Sequence, residues 1–292
     1  MPPLVARVLF PALFVWIWST GFLVGRAVGP HADSSLFLTL RFLAVAAIFT
    51  AIALAMRAPW PRRPRQIAVH LAAGALMNGV YLGPSWWAMS HGLPAGVMAL
   101  IGALQPLFTA LIAALVLGAS LGRTVWTGLA VGFAGVALVL LPRLAAGAAV
   151  PLSPWVVAAG VFGIFSLTVG SMVQKSPDAV ADIRSASAIQ SLGGAAVTAV
   201  LAFMIGDFRW DHAPALWFAF GWSVIVLSLV GTTLLIWLMR RGEATRTAAL
   251  LLLVPPLAAV ESWALLGETL TPVQIGGFVL AIAGVAMARR AR

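Results

Sequence analysis

The sequence predicts an all-α integral membrane protein of ten transmembrane helices, arranged as two inverted five-helix repeats. Three observations predict it. Composition is the first: 62% of the 292 residues are hydrophobic, 9% are charged, and mean hydropathy is +1.03. A soluble domain runs nearer a quarter charged. The second is an echo at constant separation. Leu104, Pro106, Gly118 and Leu121 recur 149 residues later as Leu253, Pro255, Gly267 and Leu270. Gly128 and Gly135-Val136 recur as Gly277 and Gly284-Val285. The third is one apolar stretch, residues 250–268, that combines Pro255 and Pro256 with a carboxylate, Glu261. A broken membrane helix that carries a charge, in a chain that repeats half its length, is the pattern of a transporter.

Ten apolar runs are each long enough to span about 30 Å of hydrocarbon. They lie at 4–26, 34–56, 67–90, 94–117, 123–142, 154–174, 185–205, 214–239, 245–266 and 271–289. Turn formers separate them: Gly29-Pro30, Pro59-Trp60-Pro61, Gly92-Leu93-Pro94, Pro151 with Pro154, Ser176-Pro177 and Thr271-Pro272. The chain divides into a first repeat at 1–142, a linker at 143–153 and a second repeat at 154–290. No polar stretch is long enough for a soluble domain. The first run follows Arg7 and precedes no small-residue cleavage site with a polar mature domain, so it is expected to be retained.

Basic residues set the orientation. With a cytoplasmic N-terminus, all but four of the 18 Lys and Arg fall inside; the exceptions are Arg26, Arg41, Arg143 and Arg209. That bias places both termini in the cytoplasm of a bacterial inner membrane. The net charge of +10 therefore reflects membrane orientation and not nucleic-acid binding.

The echo also covers Gly21 with Gly170, Val24 with Val173, Arg26 with Lys175, and Leu43 with Leu192. Near Trp87-x-Met89-x-x-Gly92 and Trp237-x-Met239-x-x-Gly242 the separation slips to 150. Five spans is an odd number, so the second repeat enters from the opposite side. A pseudo-two-fold axis in the membrane plane follows. The fifth and tenth spans carry Gly128 with Gly132, Gly277 with Ala281, and Gly284 with Ala288. Such small residues suit close packing. The absence of interior polar groups puts these two spans at the periphery.

The motifs resemble those of the drug/metabolite transporter superfamily, in its EamA family. They are Trp18-Ser-Thr-Gly-Phe22, Leu40-Arg-Phe-Leu-Ala44, Gln105-Pro-Leu-Phe-Thr-Ala110 through Gly118, and Pro256-Leu257 through Leu266-Gly-Glu268. Within the family the chain resembles exporters of amino acids and related metabolites, such as the YddG-type aromatic amino acid exporters. The resemblance implies a central cavity walled by spans one to four and six to nine, with five and ten outside. The Leu-Gly-Glu ending stands at 266–268, but the first repeat has Leu117-Gly118-Ala119, so the glutamate has no symmetric counterpart.

Two ionisable groups lie within spans. Arg41 is about 12 Å and Glu261 roughly 8 Å from an outer helix end. An unpaired charge in hydrocarbon costs a few kcal/mol or more. The two are expected to pair as a gate, or to hold the ends of a zwitterion; a structural ion pair or a snorkelling arginine is the rival reading. Their repeat partners are Gln190 and Ile112, so any ionic gate is one-sided. Pro106, Pro255 and Pro256 leave carbonyls without donors and are candidate hinges, or static packing kinks.

Asn78, Tyr81 and Ser85 step by three and four and should share a helix face. With Gln105, Gln190, Trp16, Thr20, Trp237 and Glu261 they form the expected substrate-binding set. Interhelical hydrogen bonding is the alternative for the polar members. Trp60, Trp126, Trp155, Trp210 and Trp217 fall near span ends as interface anchors, while Trp18, Trp86, Trp87 and Trp263 lie deeper.

No catalytic constellation appears in the sequence. Cysteine is absent, the four histidines are scattered, and the acids form no metal cluster. The expected protein is not an enzyme and has no cofactor or metal. It is a monomer in the lipid bilayer that exports small metabolites by alternating access, amino acids first, aromatic ones included. The alternatives are efflux of lipophilic cations or drugs and, in a different class, a lipid-acting membrane enzyme or a non-transporting membrane subunit.

Overall fold

Helix starts follow side-chain caps at matching points of the two repeats. In the computed structural model, which describes residues 4–116, 118–144, 152–234, 238 and 251–290, α1 (Leu4–Val28) ends at Gly29-Pro30. Helix α2 (Ser34–Ala55) begins after Asp33, whose carboxylate accepts the Leu36 N–H at 2.7 Å. Helix α9 (Ile183–Ile205) begins after Asp182, which accepts the Arg184 N–H at 2.9 Å. The two caps stand 149 residues apart. Asp33→Ala is expected to cost about 1 kcal/mol, read as a lower thermal unfolding midpoint of the purified protein.

The third span is interrupted. Helix α3 (Pro64–Gly74) passes into a π-helical turn, Ala75–Val80, before α4 (Tyr81–Ser90). The matching stretch of the second repeat does the same: α10 (Pro214–Gly221) runs into a π segment, Trp222–Gly231. A π turn displaces the i→i−4 ladder by one residue and is frequent at functional sites. In the first, the Leu76 carbonyl receives an extra donor, the Ser166 hydroxyl at 3.0 Å.

The expected kinked helices are broken ones. The fourth span comprises α5 (Ala95–Ala103), a turn at Leu104, and α6 (Gln105–Leu115) with Pro106 in its first turn. In the ninth, a 3₁₀ turn at Leu251–Leu253 precedes α11 (Val254–Leu266), which opens with Pro255 and Pro256. A proline in the first helical turn forfeits no hydrogen bond, because that N–H has no intrahelical partner anyway. Gly267 closes α11 at φ 67°, and its repeat counterpart Gly118 has φ 65°. This left-handed conformation is open to glycine without steric penalty. Helices α7 (Arg123–Leu144), α8 (Pro154–Val173) and α12 (Pro272–Arg290) complete the described set.

Among the described residues, eight helical stretches are long and apolar enough to cross a membrane; Leu251–Leu266 and Pro272–Ala288 are shorter apolar helices. Among the described residues there is no strand beyond an isolated Ala32–Trp210 bridge. That bridge clasps two loops. Around it the Asp33 N–H donates to the Arg209 carbonyl and the Asp211 N–H to the His31 carbonyl. The Ala213 amide, and then His31 at 2.6 Å, hold the Asp211 carboxyl below its usual range.

The helices gather into two compact units, neither of which is a sequence half. One holds α1 to Arg26, α5, α6, α7, the first turn of α8, α11 and α12. Its tightest pair is α7 with α12. Gly128 lies against Gly284 and Ala288, and Gly135 against Gly277 and Ala281, so the two helices run antiparallel. Small residues let these backbones touch. The other unit holds α2, α3, α4, α8 from Ala159, α9, α10 and the π segments up to Leu229. Its tightest pair is α2 with α9. Thr39 bonds Thr198 at 3.0 Å, Phe42 meets Gly194, and Phe49 clusters with Ala188, again in antiparallel order.

Candidate functional site

Glu261 lies in the first unit, two turns into α11. Both carboxylate oxygens are shielded from solvent, and neither has a hydrogen bond among the described residues. The Ser19 hydroxyl of α1 is beside it. That hydroxyl, itself fully buried, donates to the Trp16 carbonyl at 2.8 Å. A buried carboxylate with no counter-charge among the described residues is unstable as an anion and asks for a proton or a cation. Thr20 closes on its own helix, donating to the Ile17 carbonyl at 2.7 Å. Trp16 is 44% exposed and Trp263 62% exposed, so neither is a core residue. Gln105 heads α6, where its carbonyl accepts from Thr109 at 2.9 Å.

The same unit contains an ion pair that the sequence did not suggest. Arg26 Nε meets Glu268 Oε1 at 3.1 Å, and Glu268 Oε2 accepts the Ala95 N–H at 3.0 Å and the Ser262 hydroxyl. One carboxylate thus ties the ends of α1, α5 and α11. Its repeat counterpart is Ala119, which can do none of this. Glu268→Gln is expected to raise amide exchange at Ala95 and its neighbours by about tenfold. Deuterium uptake by mass spectrometry reads it, and unchanged uptake at 94–97 would count against the tie.

In the second unit Arg41 of α2 is 8% exposed. Its Nε and Nη2 donate to the Ser228 hydroxyl at 3.3 and 3.2 Å. The guanidinium carbon stands 5.7 Å from the ring centroids of Phe42 and of Trp86. Among the described residues no carboxylate is within ion-pair distance of it.

Gln190 of α9 bonds differently. Its backbone carbonyl accepts from Asn78 Nδ2 at 3.5 Å, and its amide nitrogen is 3.3 Å from His70 Nδ1. His70 is 1% exposed and its Nε2 has no partner among the described residues. It lies on the buried side of α3.

Asn78 does not share a face with Tyr81 and Ser85, which lie one α-helical turn apart in α4. Asn78 turns to α9, where its Cβ lies 2.7 Å from a Cβ built on Gly194. Tyr81 lies within electrostatic range of Arg41 on α2. Ser85 is buried against Gly163 of α8. The cause is the π turn between Asn78 and Tyr81: an extra residue per turn breaks the 3.6-residue count. Pro106, Pro255 and Pro256 each sit where a helix restarts. Trp237 lies outside the described residues, as do residues 145–151 of the linker.

Ser228 was missed in the sequence, although a signal existed. It stands 150 residues after Asn78, the same slipped separation that links Trp87 to Trp237.

The comparisons agree with the architecture. The profile described as the EamA-like transporter family matches residues 7–141 and again residues 153–290. A probable amino-acid metabolite efflux pump of Salmonella typhimurium is 30% identical over 285 residues, 94% of this chain and 91% of that one. A probable terminal-alkyne amino-acid exporter of Streptantibioticus cattleyicolor is 31% identical over 289 residues, 95% of this chain and 91% of that one. An inner membrane transporter of Escherichia coli, YedA, is 28% identical over 96% of this chain and 91% of its own length. One protein crystal structure shares the fold at a TM-score of 0.66 and 21% identity, covering 97% of this chain and 96% of that chain.

Proposed function

We propose a function from one premise: the chain belongs to the EamA-like transporter family, whose profile it matches once in each half. It is a membrane transporter and not an enzyme. The reading is export of small metabolites, amino acids first and aromatic ones among them, across the bacterial inner membrane by alternating access. The names of two relatives, an amino-acid metabolite efflux pump and a terminal-alkyne amino-acid exporter, support the substrate class. The inner-membrane transporter of Escherichia coli supports the location.

Mirrored contacts support ten spans in two inverted repeats. Gly128 on Gly284 and Gly135 on Gly277 exchange under a shift of 149 residues, and so do Thr39 with Thr198 and Phe49 with Ala188. A two-fold axis lying in the membrane would produce such exchanges. Cytoplasmic termini and a monomeric state belong to the same reading. Fluorescent and phosphatase reporters on either tail test the first, and a periplasmic signal from both tails would sink it.

The observation that carries the reading is Glu261, a shielded carboxylate that sits in an apolar helix and has no hydrogen bond among the described residues. Such a group takes the ammonium of a substrate or a coupling proton. The candidates for further contact stay as the sequence named them: Trp16, Thr20 and Gln105 in one unit, and Asn78, Tyr81, Ser85 and Gln190 in the other. Pro106, Pro255 and Pro256 serve as hinges at helix restarts. The same carboxylate also suits a second reading, efflux of lipophilic cations.

Counterflow in proteoliposomes separates these readings. A panel of the twenty amino acids and several organic cations is offered against preloaded vesicles. Saturable flux of at least one amino acid is expected, and flux of cations alone favours the second reading. No saturable flux of either kind would remove the proposal.

A further inference from the structure

We propose that Arg41, positioned by Ser228, forms a carboxylate-binding site, so that the molecules this protein carries are carboxylates and not simple lipophilic cations. The inference deepens the transport reading and rests on it for the word carried. The binding itself stands on the geometry of one unit.

Arg41 has too few partners for its position. Its side chain is more than nine-tenths buried, seven residues inside the start of α2, which is about 10 Å of helix rise. A guanidinium has five N–H donors. Here two of its nitrogens reach a single oxygen, that of Ser228. The Ser228 proton is already directed elsewhere, to the Ser223 carbonyl at 2.9 Å, so the hydroxyl offers Arg41 a lone pair only. The Nη1 nitrogen has no hydrogen bond among the described residues. No carboxylate among them neutralises the charge. Phe42 and Trp86 face the guanidinium carbon, which stabilises a cation but satisfies none of its N–H groups. A buried membrane arginine ordinarily pairs, snorkels or binds something. The first is not seen among the described residues, and burial opposes the second.

The protein carries its own control for a purely structural role. Shifted by 149 residues, Arg41 falls on Gln190; shifted back by 150, Ser228 falls on Asn78. The second pair also joins a π-helical turn to a neighbouring helix, but through the Asn78 side-chain amide, which donates to the Gln190 backbone carbonyl. So this crossing of helix on π turn is completed with a neutral amide. Packing does not require a cation at position 41. What the charge adds is a forked donor for an anion of matching shape. A carboxylate, with two oxygens in one plane, fits that fork better than a point-like anion. The aromatic walls suit an apolar substituent next to the carboxylate.

The test uses the full-length protein, purified in detergent. Thermal stabilisation is measured with the twenty L-amino acids, with their methyl esters, and with the matching simple carboxylic acids that lack the amine. The proposal expects stabilisation by at least one amino acid or carboxylic acid and not by its ester. In Arg41→Gln that selectivity is lost. Arg41→Lys keeps the charge without the fork and should bind roughly tenfold to a hundredfold more weakly. Ser228→Ala keeps both and should alter affinity less, which serves as the readout if Arg41→Gln does not fold. Stabilisation by simple carboxylic acids as well as amino acids locates recognition on the carboxylate alone. Equal stabilisation by acids and esters, no stabilisation by any carboxylate, or undiminished affinity in Arg41→Lys and Arg41→Gln would each overturn the proposal. Counterflow keeps the two failures apart. Amino acid flux that persists unchanged in Arg41→Gln sinks the site and leaves transport standing. Absence of any flux in the unaltered protein sinks transport, while ester-sensitive binding lost in Arg41→Gln would leave the site standing.

Discussion

Gly284→Val is expected to leave little folded protein in the membrane. A Cβ at Gly284 would lie 2.2 Å from the Gly132 nitrogen, 2.6 Å from its Cα and 2.7 Å from the Gly128 carbonyl oxygen. All three are backbone atoms, so no rotamer change relieves the clash. The helices α7 and α12 must separate, and the mirrored contacts at Gly128 and Gly135 open with them. Overpacking of this kind costs upward of about 3 kcal/mol, against a total stability of about 5–15 kcal/mol. Gly276→Ala, on the same helix, is the control. Nothing lies within 4 Å of its Cβ position, so the change should be neutral or gain a few tenths of a kcal/mol of helix propensity. Fluorescence of a folded-state fusion tag and the size-exclusion profile measure both. A well-folded Gly284→Val protein would mean that α7 and α12 do not meet as described.

Glu261→Gln is expected to act in opposite directions on stability and on function. The amide removes an uncompensated carboxylate, so the unfolding midpoint should rise, by an amount equivalent to about 2–3 kcal/mol on membrane-insertion scales. It also removes the group proposed to hold an ammonium or a proton. Amino acid counterflow should fall by about tenfold or more, the worth of a hydrogen bond to a charged group. Its dependence on external pH should flatten if a proton is the coupling ion. Gln keeps the shape of Glu, so a packing role alone predicts neither change. Unaltered counterflow with an unaltered pH profile would take Glu261 out of the mechanism. A lower midpoint would show that the carboxylate has a partner stabilising it in the fold.

Much of this was legible in the residues. The ends of most spans could be read from Gly29-Pro30, Gly92-Leu93-Pro94 and Thr271-Pro272, because turn chemistry is local. The prolines of the fourth and ninth spans announced breaks, but whether each helix bends or restarts depends on the turn before it. The structure restarts both helices, with Pro106 and Pro255 in their first turns. The π turns at 75–80 and 222–231 had no such announcement. A π turn wins by what its freed groups find in neighbouring helices, such as Ser166 for the Leu76 carbonyl. That is why Asn78, expected on the face of Tyr81 and Ser85, is displaced from it. The pairing of Ser228 with Arg41 needed the same turn.

The sequence by itself determined the membrane class, the two-fold repetition of the chain, and which few positions carry polarity inside apolar helices. Those properties depend on transfer free energies and on covalent order, which need no coordinates. Only the tertiary structure decided which polar groups meet. It joined Arg26 to Glu268 across 242 residues, gave Arg41 a hydroxyl where an acid was expected, and left the Glu261 carboxylate without a hydrogen bond among the described residues. Hydrogen bonds act over about 3 Å, a distance that a one-residue shift in a helical turn is enough to make or break.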